Sequence, residues 1–203
     1  MTMRGWGKAG MAIALLMIST PSLAQGLGSN ASEGEAFLKA VEDRDGSKAV
    51  PMVESPTSRI LNYRGYKGET ALIIATRRHD SDWTGFLIGK GADPNIGDSQ
   101  GDTPLIIAAR IGFEEAVGWM VARRAKIDLA NRKGETALIV AVQQRQPRIV
   151  KLLLERGANP DKADHAAGYS ARDYAKRDTR SRELIKLIET IKTAKAKVAG
   201  PGL

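Results

Sequence analysis

One segment recurs along the chain at a constant interval. Its copies read GETALIIATRR from Gly68, GDTPLIIAARI from Gly101 and GETALIVAVQQ from Gly134, and a weaker copy, GYSARDYAKRD, follows from Gly168, one position later than the interval predicts. A period of about 33 residues is typical of repeat architectures, in which one unit cannot bury its apolar side alone and must stack on its neighbours. The periodicity therefore predicts a row of stacked units, and the alternative is a helical bundle in which the spacing is coincidental.

Each copy carries the signals of two short helices. The hydroxyl of Thr103 can cap a helix, and Pro104 follows at the first helical position, where no amide donor is needed. Leu105 and the small residues after it then share one helical face. Gly91 and Gly157 stand where the second helix of a unit should end in a left-handed residue. The sequence therefore predicts a helix–turn–helix in every unit.

These motifs resemble the ankyrin repeat, with its G-x-T-P-L opening, leucine-rich second helix and G-A-D-V-N-type close. The best matches are GDTPL from Gly101 and LLLERGAN from Leu152. The resemblance implies an all-α fold: an ankyrin-repeat solenoid of about five stacked helix–turn–helix repeats with hairpin-like loops. It also implies a module that binds other proteins. The family's histidine after the leucine is replaced by isoleucine at 73, 106 and 139, which predicts aliphatic packing between repeats.

The repeat register divides the whole chain. We expect a signal peptide at 1–24, a flexible N-terminus at 25–34, a divergent N-capping repeat at 35–67, ankyrin repeats at 68–100, 101–133 and 134–167, a C-capping repeat at 168–190 and a basic flexible tail at 191–203.

The segment 1–24 has the pattern of a secretory signal peptide. Arg4 and Lys8 precede the apolar stretch Met11–Ile18, and small residues follow up to Ala24. An uncleaved membrane anchor is the alternative, but an apolar run of about ten residues is shorter than the roughly 20 that span a bilayer. We therefore expect cleavage before Gln25 and a periplasmic protein of a Gram-negative bacterium, with no stable membrane insertion after cleavage.

The chain offers little for catalysis. It has no cysteine and only two histidines, His79 and His165, neither of which has a second histidine at metal-ligand spacing. The carboxylates of Glu69, Asp102 and Glu135 recur once per repeat, as expected of charges that favour helix N-termini and not of a local catalytic pair. We predict no catalytic residue, no metal and no cofactor, with an enzyme of unrecognised site as the remaining alternative.

Positive charge also recurs. The net charge is +8, and Arg77 and Arg110 stand at the same offset beyond their repeat's opening glycine, with Arg78 beside the first. In the ankyrin fold this position lies toward the concave groove, and the loop tips are presented on the same side. The predicted partner-binding residues are Arg64, Lys67, Arg77, Arg78, Arg110, Arg132 and Lys133.

The predicted partner of this basic groove is an acidic protein, bound by a monomer. Nucleic acid is not expected, since export removes the chain from the cytoplasm. The alternatives are a merely solvated surface and a charge-driven binder of anionic cell-envelope surfaces. If the arginines are only solvated, the loop around Tyr63–Tyr66 or the basic tail is the next place to look.

Three residues occupy positions where the family has glycine. Arg124 replaces the glycine that ends the second helix, and His79 and Arg145 replace the glycine of the turn between helices. A left-handed backbone costs a non-glycine residue about 1 kcal/mol or more, so we expect local strain at all three.

Overall fold

The computed structural model describes residues 25–55, 60–180 and 182–198, and the predicted signal peptide lies outside them. The described part contains ten α-helices and a 3-10 turn at Ile60–Asn62. The α-helices are α1 (Gln25–Glu42), α2 (Gly46–Glu54), α3 (Ala71–Arg77), α4 (Ser81–Gly89), α5 (Pro104–Ile111), α6 (Glu114–Ala122), α7 (Ala137–Gln143), α8 (Pro147–Glu155), α9 (Ala171–Arg177) and α10 (Arg182–Val198).

Capping side chains set where the first helix of each repeat begins. Thr70, Thr103 and Thr136 each accept a hydrogen bond at 3.3 Å from the amide three residues on, which satisfies one donor of the first turn. Ser170 forms a reciprocal capping box with Asp173 at the start of α9. The cap predicted at Thr103 is confirmed.

The helices form two layers of an all-α solenoid, as predicted. The first helices of the repeats contact one another in the order α1, α3, α5, α7 and α9, and the second helices follow in the order α4, α6, α8 and α10. A continuous aliphatic core fills the space between the layers. Ile73, Ile106 and Ile139 are fully buried, and the last two belong to this core, so the prediction of aliphatic packing at the family's histidine position is confirmed.

Hairpin-like loops connect the repeats, and their opening glycines have two reasons to be glycine. At one tip the Asp98 amide donates to the Asp102 carbonyl at 3.1 Å. Gly134 has φ +80, and a Cβ there would lie 2.5 Å from the backbone nitrogen of His165 in the next loop. Left-handed backbone and close approach of the following loop therefore both require glycine.

The interval before the fourth copy is one residue longer than the others, and the last loop explains why. There the Asp164 amide donates to Tyr169, five residues on, where the other tips close after four. The extra residue lies within the tip, whose successive amides 166, 167 and 168 all donate to the Asp164 carboxylate. The insertion lengthens one tip and leaves the stacking of the helices intact.

The two ends differ from the expected flexible segments. Residues 25–34 belong to α1, which begins at Gln25, and α10 continues through the expected tail to Val198. Once a helix has a nucleus, each added residue costs little, and the buried segment Phe37–Val41 supplies that nucleus for α1. At the other end, alanine and lysine are good helix formers and extend α10.

The strain expected at non-glycine residues is present in the backbone. Arg124 has φ +62, His79 +56 and Arg145 +54, and Arg44 joins them at +58. Three of these four side chains reach forward to the following repeat, which offsets part of the cost. The contacts are Arg44 Nε to Asp80 at 2.8 Å, the His79 ring stacked on Phe113 at 4.1 Å, and Arg145 Nε to Asp178 at 2.6 Å.

Candidate functional site

The predicted site residues all lie on the loops and at the ends of the first helices. Arg77 is the last residue of α3, Arg78 caps that helix, and Arg110 is in the last turn of α5. Their surroundings separate them into charges that join neighbouring loops and charges that are available to a partner.

Arg77 is an internal connector. Its Nη2 lies 2.9 Å from the carboxylate of Asp98, which belongs to the next loop and is buried, and its Nη1 bonds Glu69 at the opening of its own repeat. Arg64 reinforces the same junction, because its guanidinium donates to the carbonyls of Gly68 and Asp98, each at 2.9 Å. Arg77 would have to weaken its ion pairs to meet an acidic partner, whereas Arg64 is held in place by neutral carbonyls.

One repeat later, Arg110 takes part in a similar link between its own repeat and the next loop. Its guanidinium holds both oxygens of the buried Asp102 carboxylate, at 2.5 and 3.2 Å, and Asn131 donates to that carboxylate at 2.7 Å. Burial by itself would raise the pKa of Asp102, but the hydrogen bonds from Arg110 and Asn131 outweigh it and hold the pKa below the ordinary 3.8. The recurring acids, expected to serve only the helix N-termini, are therefore the partners of the recurring arginines.

The remaining four predicted residues are more accessible. Arg78 donates to the backbone carbonyl of Glu42, and Lys67 lies over the Tyr66 ring at 5.6 Å. Arg132 and Lys133 are exposed at the next-but-one loop tip. Within the described residues none of these four side chains forms an ion pair with an acid.

Backbone hydrogen bonds between successive tips fix the spacing of the loops. The Arg132 amide donates to the Gln100 carbonyl at 3.0 Å, and the His165 amide donates to the Lys133 carbonyl at 2.8 Å. The tips are thereby tied into one edge of the solenoid.

A cavity of about 330 Å³ opens at the first junction, between α1, the first loop tip and α3. Its wall includes Lys67 and Arg78 of the predicted site, together with Tyr66, whose side chain is 83% exposed. Tyr66 is not among the predicted binding residues. Its signal in the sequence is weak, since one tyrosine beside a glycine turn does not recur in the other repeats.

Beside this cavity the first loop lacks a side chain that the later loops have at the corresponding position. In the repeat register Gly65 corresponds to Asp98, Asn131 and Asp164. The side chains at these three later positions accept or donate hydrogen bonds in the junction beneath their tip. Gly65 contributes nothing there, and a Cβ at this position would approach Leu38 Cδ1 to 2.6 Å.

Two other kinds of site receive no support from the described part of the chain. It holds no cluster of three or more side chains able to bind a metal. None of its helices is both long enough and apolar enough to cross a bilayer.

Stacked helix pairs joined by hairpin-like loops define a helical-repeat solenoid. The family model for ankyrin repeats (3 copies) matches residues 72–164, the region of the three most regular units. This region therefore consists of ankyrin repeats, which are generally protein–protein interaction modules. No curated protein matches the chain.

Proposed function

We propose that this protein is an exported, non-catalytic binding module that captures an acidic protein along the loop tips and the adjoining groove. The observation that carries the proposal is the arrangement of the tips. Backbone hydrogen bonds join the second, third and fourth tips, and Arg64 joins the first tip to the second, while Tyr66, Lys67, Arg132 and Lys133 stay exposed to solvent. Aromatic and arginine side chains are enriched among residues that dominate binding energy at protein interfaces.

The choice of a protein over an anionic surface rests on the mixture of groups. Among the described residues the large exposed apolar side chains are Tyr66 and Ile111, and both lie beside the basic residues, at the first tip and at the end of α5. A surface bound by charge alone would not need them. Apolar anchors surrounded by charge are the usual composition of a protein interface.

Site-specific photo-crosslinking tests the binding face. A photoreactive amino acid at position 66 or 132 should give discrete crosslinked products in cells, and the same group at Lys151 or Lys186 should not. Those control residues are exposed on the second helices α8 and α10. Crosslinks from the control positions alone would place the interface on the opposite layer and overturn the proposal.

Export is tested separately on the same cells. We expect the purified periplasmic form to begin at Gln25, as the signal pattern predicts. Intact-mass measurement decides this, and a mass corresponding to all 203 residues would contradict cleavage.

A further inference from the structure

We propose that the cavity at the first junction receives a carboxylate side chain of the partner together with a neighbouring apolar side chain. This inference rests on the proposed function and narrows it. Recognition is assigned to Lys67, Arg78 and Tyr66, whereas Arg77 and Arg110 hold the solenoid together.

Four cations line the cavity, and two of them are held by acids: Lys39 pairs with Asp43, and Arg77 pairs with Asp98. The other two have no ion pair within the described part of the chain. The Arg78 guanidinium donates to a neutral carbonyl, that of Glu42, and the Lys67 ammonium lies over the Tyr66 ring. A carboxylate placed between them would gain charge-assisted hydrogen bonds, which are stronger than neutral ones.

Two of the three acids on the cavity wall are held by contacts within the fold. Glu35 accepts from the Tyr63 hydroxyl at 3.2 Å and from the Tyr66 amide at 3.0 Å, and Glu69 pairs with Arg77. Glu42 is exposed, and its ion pair with Lys39 is long, at 3.9 Å. A carboxylate of the partner must therefore bind at Lys67 and Arg78, away from Glu42.

The rest of the wall favours an apolar neighbour for the carboxylate. Leu38 and Ile74 line the cavity, and Tyr66 stands exposed at its edge. A volume of about 330 Å³ is at the lower end of ligand pockets, which span roughly 300–1,000 Å³. The space suits one or two side chains of a protein and not a large ligand.

A peptide titration tests the chemistry directly. Isotope-labelled protein, purified after expression of the full chain, is titrated by NMR with the blocked peptide acetyl-Gly-Leu-Glu-Leu-Gly-amide. A second peptide carries Gln in place of Glu. We expect saturable shifts at the amides of Gly65–Lys67 and Arg78, and at least tenfold weaker binding of the Gln peptide. Equal binding of both peptides, or shifts confined to the other tips, would overturn the proposal.

A third peptide separates the two sources of a carboxylate. Acetyl-Gly-Leu-Gly-Leu with a free C-terminus offers only a terminal carboxylate. If it binds more tightly than the Glu peptide, the cavity is a site for chain ends, and the assignment to a side chain is wrong.

Variants locate the binding groups. Lys67→Gln alone, and together with Arg78→Gln, should weaken binding of the Glu peptide stepwise, at least tenfold for the pair. The matched control Lys151→Gln with Lys186→Gln removes the same charge from the second helices and should leave binding within twofold. Equal losses in both pairs would mean that only the overall charge matters.

Failure of the cavity assignment can be distinguished from failure of the proposed function. Lys67 is exposed and makes no ion pair among the described residues, so Lys67→Gln leaves the fold intact, which circular dichroism verifies. If photo-crosslinks from the tips persist while the peptides fail to bind, the module still binds a protein and only the cavity assignment falls. If the crosslinks are also absent, the proposed function itself fails.

Discussion

The first junction of the solenoid and the junctions after it are built from the same repeat but filled differently. Between α3 and α5, and between α5 and α7, an arginine and an Asx residue close the space beneath the loop tip. Between α7 and α9 the Tyr174 hydroxyl donates to Asp164 at 2.6 Å. At the first junction Gly65 supplies no such side chain, Leu38 lies where its Cβ would be, and a cavity of about 330 Å³ lies beside it. The junctions therefore differ in how they are filled, and Arg77 and Arg110, predicted to bind a partner, also bond acids within the fold.

The largest effect is expected where an inner junction is most tightly packed. Gly134→Ala should lower the free energy of unfolding by about 2–4 kcal/mol, because left-handed strain of about 1–2 kcal/mol adds to a clash with the His165 backbone. Denaturant unfolding measures the loss.

Gly168→Ala is the matched control for Gly134→Ala. Gly168 has a similar φ of +68, but a Cβ there would have nothing within 4 Å. Gly168→Ala should therefore lower the free energy of unfolding by the left-handed strain alone, about 1–2 kcal/mol. Equal losses at both positions would show that the close approach of successive tips is not a source of stability.

Removal of one charge should distinguish a filled junction from the open one. Asp102→Asn keeps the shape of the side chain but weakens its bonds to Arg110, and it should cost about 1–3 kcal/mol at pH 7. Glu42→Gln on the wall of the open junction should cost less than about 0.5 kcal/mol, because its ion pair is exposed and long. Comparable losses would contradict the division between the two kinds of junction.

The pH dependence of the Asp102→Asn effect has a definite sign. Since the pKa of Asp102 is lower in the folded chain than the ordinary 3.8, its contribution is fully present above that value. It is lost as the pH falls through the folded pKa. The difference between wild type and variant should therefore shrink below about pH 4. A difference that persists unchanged at pH 2 would mean that the carboxylate charge is not its cause.

A buried substitution in the repeat beside the open junction should raise the stability of the fold. The hydroxyl of Thr84 is buried and has no hydrogen-bond partner among the residues that the structure describes, and the corresponding positions in the next two repeats are Val117 and Val150. Thr84→Val should raise the free energy of unfolding by about 1 kcal/mol, because a desolvated hydroxyl is removed at constant shape. Thr103→Val, which removes a helix cap, should lower it by about 1 kcal/mol. A lower free energy of unfolding for Thr84→Val would indicate that the Thr84 hydroxyl has a hydrogen-bond partner in solution.

The smallest effect concerns a left-handed residue without a forward contact. Arg124→Gly should gain about 0.5 kcal/mol, or one to two degrees in thermal midpoint, since relief of strain exceeds the entropy that glycine adds to the unfolded chain. Arg145→Gly should gain nothing, because it loses the contact with Asp178. A lower midpoint for Arg124→Gly would show that the Arg124 side chain stabilises the fold.

Features that depend on residues at fixed local offsets could be predicted from the sequence. The repeat register, the Thr103 cap and the left-handed backbone at Arg124 are of this kind, because each follows from a motif within one repeat. The pairs Arg77–Glu69 and Arg110–Asp102 also lie at one local offset, eight residues within a repeat. The contacts between repeats are different. Arg77 meets Asp98, 21 residues away, and Asp102 meets Asn131, 29 residues away, so these pairs depend on how the loops stack. The cavity was hidden for the same reason, since the consequence of Gly65 becomes visible only beside its neighbours.

The hydrogen bonds from tip to tip have a consequence for the speed and cost of association. Loops that are free in solution must give up conformational entropy when a partner orders them, and that cost weakens binding. Here the amides of Arg132 and His165 are already bonded to the preceding tips, so those loops have little freedom left to lose. The first tip is held to the second by side chains, those of Arg64 and of Arg77, which bonds both Glu69 and Asp98. A partner that spans the whole edge would therefore spend its ordering entropy mainly at the first tip, and its rate of dissociation would depend most on how well that tip is held.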